Sequence, residues 1–346
     1  MKLGLPLSTN ETFRLINRYI NYKKIEELVI MEEQDYTRRS QRPKNRKLRK
    51  GRAIFTLLLL CIIVVAGYSI MQYRSGLKLA NQTQVEQEDF SGDTLKGDIE
   101  NYLILGVDTR GEEKSRTDTM MVLSWNKSNN DIKLVSFMRD IYADIPGYQS
   151  YKLNTAYYLD GVQLLKDTLT NMFGLPIHHY ALIDFKNFES LVDILAPNGV
   201  EMDVEKDMSE NIGVELKQGV HHLNGQELLG YARFRHDAEG DFGRVARQQK
   251  VIEALKNELL TPANVLHLPK FVGAAQGYIT TDYSSAEEMQ QVLKLLSKGK
   301  VNIEKATIPI EGSYQFQNFS HAGDSIVIDV EQNKAFLSDF LGISLE

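Results

Sequence analysis

Residues 101–140 read NYLILGVDTRGEEKSRTDTMMVLSWNKSNNDIKLVSFMRD, and this stretch decides the fold class. It holds three apolar runs of strand length: Tyr102–Val107, Thr119–Trp125 and Ile132–Met138. Near-continuous apolar runs of this kind are how strands buried on both faces read. Helices must then cover both faces, so the stretch predicts a layered α/β domain. Charge sits at the ends of the runs. Asp108 follows the first run at once, Asp118 immediately precedes the second, and Arg139 and Asp140 close the third. If the first two strands pair antiparallel, both aspartates reach one edge of the sheet. If the third is parallel to the first, Arg139 joins them. Ligands of open α/β sheets gather at such carboxyl edges. Two carboxylates beside arginines suit a Mg²⁺ ion holding phosphate oxygens, although Asp is also an ordinary turn residue.

Downstream, strand and helix signals alternate. Val162–Phe173, Phe185–Leu195, Gly225–Tyr231, Gly243–Leu260, Pro262–Ala275, Ser284–Ser297 and Glu331–Leu341 have helical character. Tyr180–Ile183, Val200–Val204, Ile303–Ile310 and Ser325–Val330 are strand-like. No repeat and no second linker interrupts residues 101–346. They are expected to form a single layered α-β-α domain with a central mixed sheet.

The chain has 346 residues, a net charge of −6, 42% hydrophobic and 25% charged residues and one cysteine. These values exclude collagen-like, disordered and disulfide-rich classes. The net charge is a sum of two unlike parts. Residues 1–74 carry +9 and the remainder carries −15. Nine basic residues and no acid lie between Arg38 and Arg52, and the 21 residues from Ala53 to Tyr73 have no charge. That run is long enough to span a bilayer. The basic block before it places the N-terminus in the cytoplasm and everything after Arg74 outside. A cleaved signal peptide would need a small-residue cleavage site, and none is clear after Tyr73. The expected layout is a cytoplasmic basic segment at 1–52, a transmembrane helix at 53–73, a polar extracellular stalk at 74–100 and a catalytic domain at 101–346. Residues 1–30 are unlike the rest, and Met31 is an alternative start. Cys61 lies in the span, so the exported part can use no thiol chemistry.

Two further groups point to an anion. In Tyr231–His236, Arg233 and Arg235 share a face if the backbone there is extended, and diverge if the helix before them runs on. In the helix from about Asp241, read as its N-cap, the apolar stripe Ile252, Leu255 and Leu259 extends backwards by fours to Gln248 and Arg244. An inward Arg at the positive end of a helix makes an anion site. Lys152 and Asn154 precede a helix in a polar segment, and spacing does not decide their role. The seven histidines show no metal spacing, and the P-loop, dinucleotide and nucleophile-elbow motifs are all missing.

These residues carry a resemblance. The chain resembles the LytR–CpsA–Psr family of cell-envelope enzymes of Gram-positive bacteria. The matching stretches are Leu105–Arg110, Ser115–Met120, Ser136–Asp140, Lys152–Ala156, Asp184-Phe185, Asn198–Val200, Tyr231–His236 and Gly240–Gln249, in the family's order. The resemblance implies transfer of an anionic glycopolymer, of teichoic acid or capsular polysaccharide type. The donor is undecaprenyl diphosphate and the acceptor is the N-acetylmuramic acid 6-hydroxyl of peptidoglycan, joined as a phosphodiester. It implies that Asp108 and Asp118 hold Mg²⁺, or Mn²⁺ in its place. Arg116, Arg139, Lys152, Arg233, Arg235, Arg244 and Gln248 would bind the diphosphate, with Asp108, Asp118, Arg139 and Arg244 as the catalytic set. The partners implied are the lipid-linked polymer, peptidoglycan and the membrane, with room for other cell-wall or capsule assembly proteins and none for nucleic acid. Two other functions fit the same residues: a regulator that binds polyprenyl-phosphate lipids without turnover, and a pyrophosphatase that hydrolyses the carrier diphosphate.

Overall fold

The computed structural model describes residues 9–40, 50–80, 88–108, 117–259, 261, 264–283 and 302–345. Arg116, the central part of the basic block (41–49) and the helix expected at Ser284–Ser297 lie outside the described residues. The chain divides into two units, Met1–Ile63 and Val64–Glu346. The first holds α1 (Thr9–Ser40) and the start of α2 (Lys50–Ala80). In α2, Ile54–Leu79 is long and apolar enough to cross a membrane, and its apolar side chains are exposed. This fits a single-pass anchor. The helix continues through residues 74–80, which the sequence assigned to the stalk.

The second unit is built on a six-stranded mixed sheet. Its first strands are β1 (Ile99–Val107), β2 (Thr117–Asn126) and β3 (Ile132–Phe137). β2 runs antiparallel to both neighbours, so β1 and β3 point the same way. A β-bulge falls at Gly106/Val107, just before Asp108. A small hairpin, β4 (Tyr142–Ala143) and β5 (Tyr151–Lys152), leads into α3 (Leu153–Phe173). Then follow β6 (His179–Asp184), α4 (Phe185–Leu195), the hairpin β7 (Val200–Val204) and β8 (Gly219–Leu223), α5 (Gly225–Arg233) and α6 (Gly240–Leu259). A short 3-10 turn precedes α7 (Leu268–Tyr278) and β9 (Ile279–Thr281). After residue 302 come β10 (Ile303–Ile308), the hairpin β11 (Tyr314–Phe319) and β12 (Gly323–Ile328), and α8 (Val330–Leu341). The sheet order is β10-β3-β2-β1-β6-β9.

Two cores lie on opposite faces of this sheet. Leu103, Leu105 and Val107 of β1 join a cluster with α3, α8 and Phe137. A second cluster joins α4, the β7–β8 hairpin, α5 and Val251 of α6. The domain is therefore the layered α-β-α arrangement expected.

α3 starts at Leu153, earlier than its periodicity predicts, and kinks at Asp160-Gly161. Gly161 takes φ 67, and a Cβ there would lie 2.5 Å from Glu88 Oε2. The Glu88 carboxylate accepts from Val162 N at 2.7 Å and from the Tyr157 hydroxyl at 2.8 Å, capping the second half of the helix. Asp93 is fixed as well, pairing with Lys166 at 2.9 Å and accepting from Ile177 N at 2.8 Å. Residues 88–93 are thus a strap bound to the domain, not part of a free stalk.

Candidate active site

The charged edge of the sheet assembles as the strand directions require. β1 and β6 are parallel, with Val107 opposite Asp184, so Asp108 leaves the sheet beside the start of α4. There the Asp184 side chain accepts from Lys186 N at 2.8 Å as N-cap. Asp118 and Arg139 arrive at the same edge on β2 and after β3. Arg139 Nη1 donates to Asp118 Oδ1 at 2.7 Å, and Arg139 Nε to Asp241 Oδ2 at 3.2 Å and Asp140 Oδ2 at 3.3 Å. Arg233 Nη2 lies 3.5 Å from Asp108 Oδ2.

α5 ends at Arg233, and Phe234 is extended, with φ −61 and ψ 132. Arg233 and Arg235 therefore share a side, and both face one cleft. Asp118, Arg139, Phe185, Glu210, Asn211, His236, Arg244 and Gln248 complete its lining, around a volume of about 260 Å³. Arg244 is 4% and Gln248 8% exposed, as the α6 stripe predicted. The helix starts one residue earlier than expected. Asp237, not Asp241, caps its first turn, accepting from Glu239 N and Gly240 N. Asp241 instead turns inward to Arg139 and to Arg244, whose Nη1 is 3.4 Å from Asp241 Oδ1.

The electrostatics favour an incoming anion. Burial, then the nearby Arg139 charge, pushes the Arg244 guanidinium below its ordinary value. Arg244 Nε is buried without a hydrogen-bond partner. Burial works against Arg139, but Asp241 and Asp118 together raise it. Burial also holds the Asp241 carboxyl above the usual carboxylate range, despite Arg244 and Arg139. Asp140 goes the other way: Asp241, Lys152 and Arg139 outweigh its burial. Lys152 pairs with Asp140 at 2.9 Å and does not line the cleft. Glu210, Asn211 and His236 were not among the expected site residues. The loop after β7 brings the first two into the cleft wall, where Asn211 donates to His236 Nε2 at 2.8 Å.

Beside this polar cleft lies an apolar one of about 300 Å³. Ile104, Met121, Ile183, Phe188, Leu229 and Val251 are among its walls. The two cavities share the wall residues Phe185, Arg233 and Gln248, so they adjoin. Arg233 packs over the Phe185 ring at 5.1 Å, at the junction. The arrangement suits an amphiphile with an anionic head and an apolar tail.

For a divalent metal, the described residues contain no cluster of three or more His, Cys, Asp or Glu side chains that could hold one. The two carboxylates Asp108 and Asp118, hard oxygen donors beside an anion cleft, fit a Mg²⁺ ion. Such an ion takes one or two carboxylates and completes its shell with water and phosphate oxygens.

Comparison with known proteins gives a consistent answer. The model of the LytR_cpsA_psr family matches residues 66–335. The chain is 44% identical over 276 residues to the regulatory protein MsrR of Staphylococcus aureus, covering 79% of this chain and 84% of that protein. It is 32% identical over 249 residues to the polyisoprenyl-teichoic acid–peptidoglycan teichoic acid transferase TagU of Enterococcus faecalis, covering 68% and 81%. The crystal structure of B. subtilis TagV superimposes with a TM-score of 0.61 at 24% identity, covering 72% of this chain and all of that one.

Proposed function

Because the chain belongs to the LytR_cpsA_psr family, we propose that it is a membrane-anchored transferase that attaches a cell-wall glycopolymer to peptidoglycan. The observation that carries this reading is the apolar cavity adjoining the arginine cleft across the shared walls Phe185, Arg233 and Gln248. A polyprenyl diphosphate bearing a glycan has the required shape. Its isoprenoid tail enters the apolar cavity, and its diphosphate lies among Arg139, Arg233, Arg235 and Arg244. The basic block before α2 supports a cytoplasmic N-terminus, with the domain outside, where peptidoglycan lies.

In the proposed reaction a hydroxyl of the acceptor sugar, the 6-hydroxyl of N-acetylmuramic acid, attacks the phosphorus that carries the glycopolymer. The new phosphodiester bond forms as the bridging P–O bond to polyprenyl phosphate breaks. The hydroxyl proton has two carboxylate acceptors in the cleft wall, Asp118 and Glu210. Negative charge grows on the leaving phosphate and on the equatorial oxygens. Four preorganised guanidiniums stabilise it without reorganising. Asp108 and Asp118 would hold a Mg²⁺ or Mn²⁺ ion, which supplies further neutralisation of the diphosphate. The lipid leaving group and the glycan define the polymer only as polyprenyl-linked, of teichoic acid or capsular type.

The name of the Staphylococcus aureus relative favours a second reading, a regulator that binds the same lipid without turnover. The full-length protein, incubated with a polyprenyl-diphosphate-linked teichoic acid precursor, divalent metal and peptidoglycan, separates the two. Transfer yields wall-bound glycan phosphate and free polyprenyl phosphate. Arg139→Ala and Arg244→Ala should each lower the rate about 10²–10³-fold. Lipid binding with neither product would sink the enzyme reading, and free glycan phosphate alone would make the protein a hydrolase.

A further inference from the structure

The transfer reaction leaves one surface of the domain unused. The β11–β12 hairpin carries Tyr-Gln-Phe-Gln-Asn-Phe-Ser-His at 314–321, eight residues with no carboxylate, lysine or arginine in an otherwise acidic domain. Most of it is solvent-exposed, with Phe316 at 71%. Its rings form a row that begins at the first turn of α6. Phe242 follows Asp241 on α6, and its ring centroid is 5.3 Å from that of Tyr314. Tyr314 is 5.7 Å from Phe316, edge to face. A second aromatic contact anchors the hairpin: Phe319 stacks on Tyr142 at 4.0 Å and 9°, two residues after Asp140.

The row lies on a particular side of the sheet. Phe242 and Tyr314 pack against the core that takes Leu103 and Val107 of β1. Ile104 and Gly106 of the same strand line the apolar cavity. Alternate residues of a strand face opposite ways, so the rings and the cavity are on opposite faces, with the arginine cleft at the edge between them. In-line displacement at phosphorus needs the attacking oxygen opposite the leaving group. If polyprenyl phosphate departs into the cavity, the acceptor must come from the side of the rings.

The chemistry of the row fits a sugar chain. Exposed aromatic faces stack against the C–H faces of pyranose rings. The amide of Asn318, exposed on the same face of β11 as Tyr314 and Phe316, can donate to and accept from hydroxyl and N-acetyl groups. A phosphate-rich polymer would instead call for lysine or arginine. We propose that Phe242, Tyr314 and Phe316, with the Asn318 amide, form the binding site for the acceptor: a stretch of amino-sugar glycan strand.

The orientation of the acceptor rests on the transferase reading, but its binding can be measured alone. Full-length protein in detergent would be titrated with soluble, undecorated peptidoglycan glycan-strand fragments and, separately, with polyprenyl phosphate. Phe316→Ala should weaken oligosaccharide binding about three- to tenfold and leave polyprenyl phosphate binding unchanged. Phe316→Trp should restore it. Phe316 is exposed, so the substitution does not threaten folding. The proposal is overturned if the wild type binds no oligosaccharide, or if Phe316→Ala binds it equally well. It is also overturned if Phe316→Ala weakens only a phosphate-rich polymer. Oligosaccharide binding that depends on Phe316, without any transfer, would uphold the glycan site and sink the transferase reading.

Discussion

His179 shows how much one side chain can hold together away from the chemistry. Its Nδ1 lies 2.8 Å from Asp282 Oδ2, and its Nε2 lies 3.4 Å from Glu100 Oε1. Asp282 follows edge strand β9, while Glu100 lies near the start of β1, at the far end of that strand from Asp108. Glu100 also pairs with Lys127 at 2.7 Å and accepts from the Tyr102 hydroxyl. Burial would lower the imidazole, but Asp282 and Glu100 overcome it and push it up to about 9. Burial would raise the Glu100 carboxyl, but His179, Lys127 and Tyr102 hold it down at about 2. The signs then follow. The His179 contribution to stability is complete below its ordinary value of 6.5 and is lost as pH rises through about 9. The Glu100 contribution is complete above 4.5 and is lost as pH falls towards 2. His179→Gln should cost about 2 kcal/mol at pH 6, a figure reduced from the full shift for partial exposure. It should also flatten the stability curve between pH 6.5 and 9. Urea denaturation across that range tests this, and an unchanged slope in the variant would refute the pairing.

At the scale of elements, α6 separates two jobs within four residues. Arg244 faces the cleft, beside other cations. Arg247, 1% exposed, is a structural tie. It pairs with Asp237 at 3.0 Å and Glu205 at 3.3 Å, donates to Phe234 O at 3.1 Å and packs over the Phe234 ring at 5.1 Å. These contacts fix the extended segment that presents Arg235 and the start of the loop that presents Glu210 and Asn211. Arg247→Ala removes the buried cation of Asp237 and Glu205, leaving them only the more exposed Lys206 and Lys250, and should destabilise the domain by about 3 kcal/mol. Arg244→Ala removes a cation from a like-charged cleft and should leave the melting temperature unchanged or raised. Thermal unfolding of both variants checks the division, and equal losses would refute it. The same helix shows what was legible in the sequence. Helical periodicity runs straight through the functional residues, so the stripe from Leu259 back to Arg244 could be read, and Arg247 lies on its flank. The strand-end charges were legible because strand direction alone decides where they meet. Glu210 and Asn211 were not, because only tertiary packing brings their loop to the cleft. Nor was β11, whose exposed aromatic and amide residues have no buried face to set a period. The strap at Glu88 was hidden for a similar reason: its partners are Tyr157 and Val162, far along the chain.

At the scale of the molecule, the last turns of α2 belong to the same unit as the domain. Ser69, Gln72, Tyr73, Gly76 and Leu77 are covered to some degree, while Met71, Arg74, Ser75 and Lys78 stay exposed. This spacing marks a single helical face. The covering element is α7. A Cβ on Gly76 would lie 2.1 Å from Lys270 O, and one on Gly273 would lie 2.2 Å from Tyr73 O. Only glycine at both positions allows the two backbones to approach so closely, as small residues do at helix crossings in membranes. The Tyr73 hydroxyl adds a hydrogen bond to Gln276 Oε1 at 2.7 Å. Ile279, directly after α7, and Phe188 of α4 line the apolar cavity. The end of α2 is thus packed against an element next to the cavity proposed for the lipid tail. A domain hung on a free tether would have to find its substrate in the bilayer by diffusion. A domain docked on the end of its anchor keeps that cavity beside the membrane. The chain's single cysteine, Cys61, makes this measurable. With Cys61→Ser as background, Tyr73→Cys and Gln276→Cys should be joined within one chain by a short bis-maleimide in intact membranes. Adding Gly273→Leu should abolish most of the link by forcing the helices apart. Linking that persists at the same yield in the Gly273→Leu protein would show that the anchor is free of α7, and the docked arrangement would fall with it.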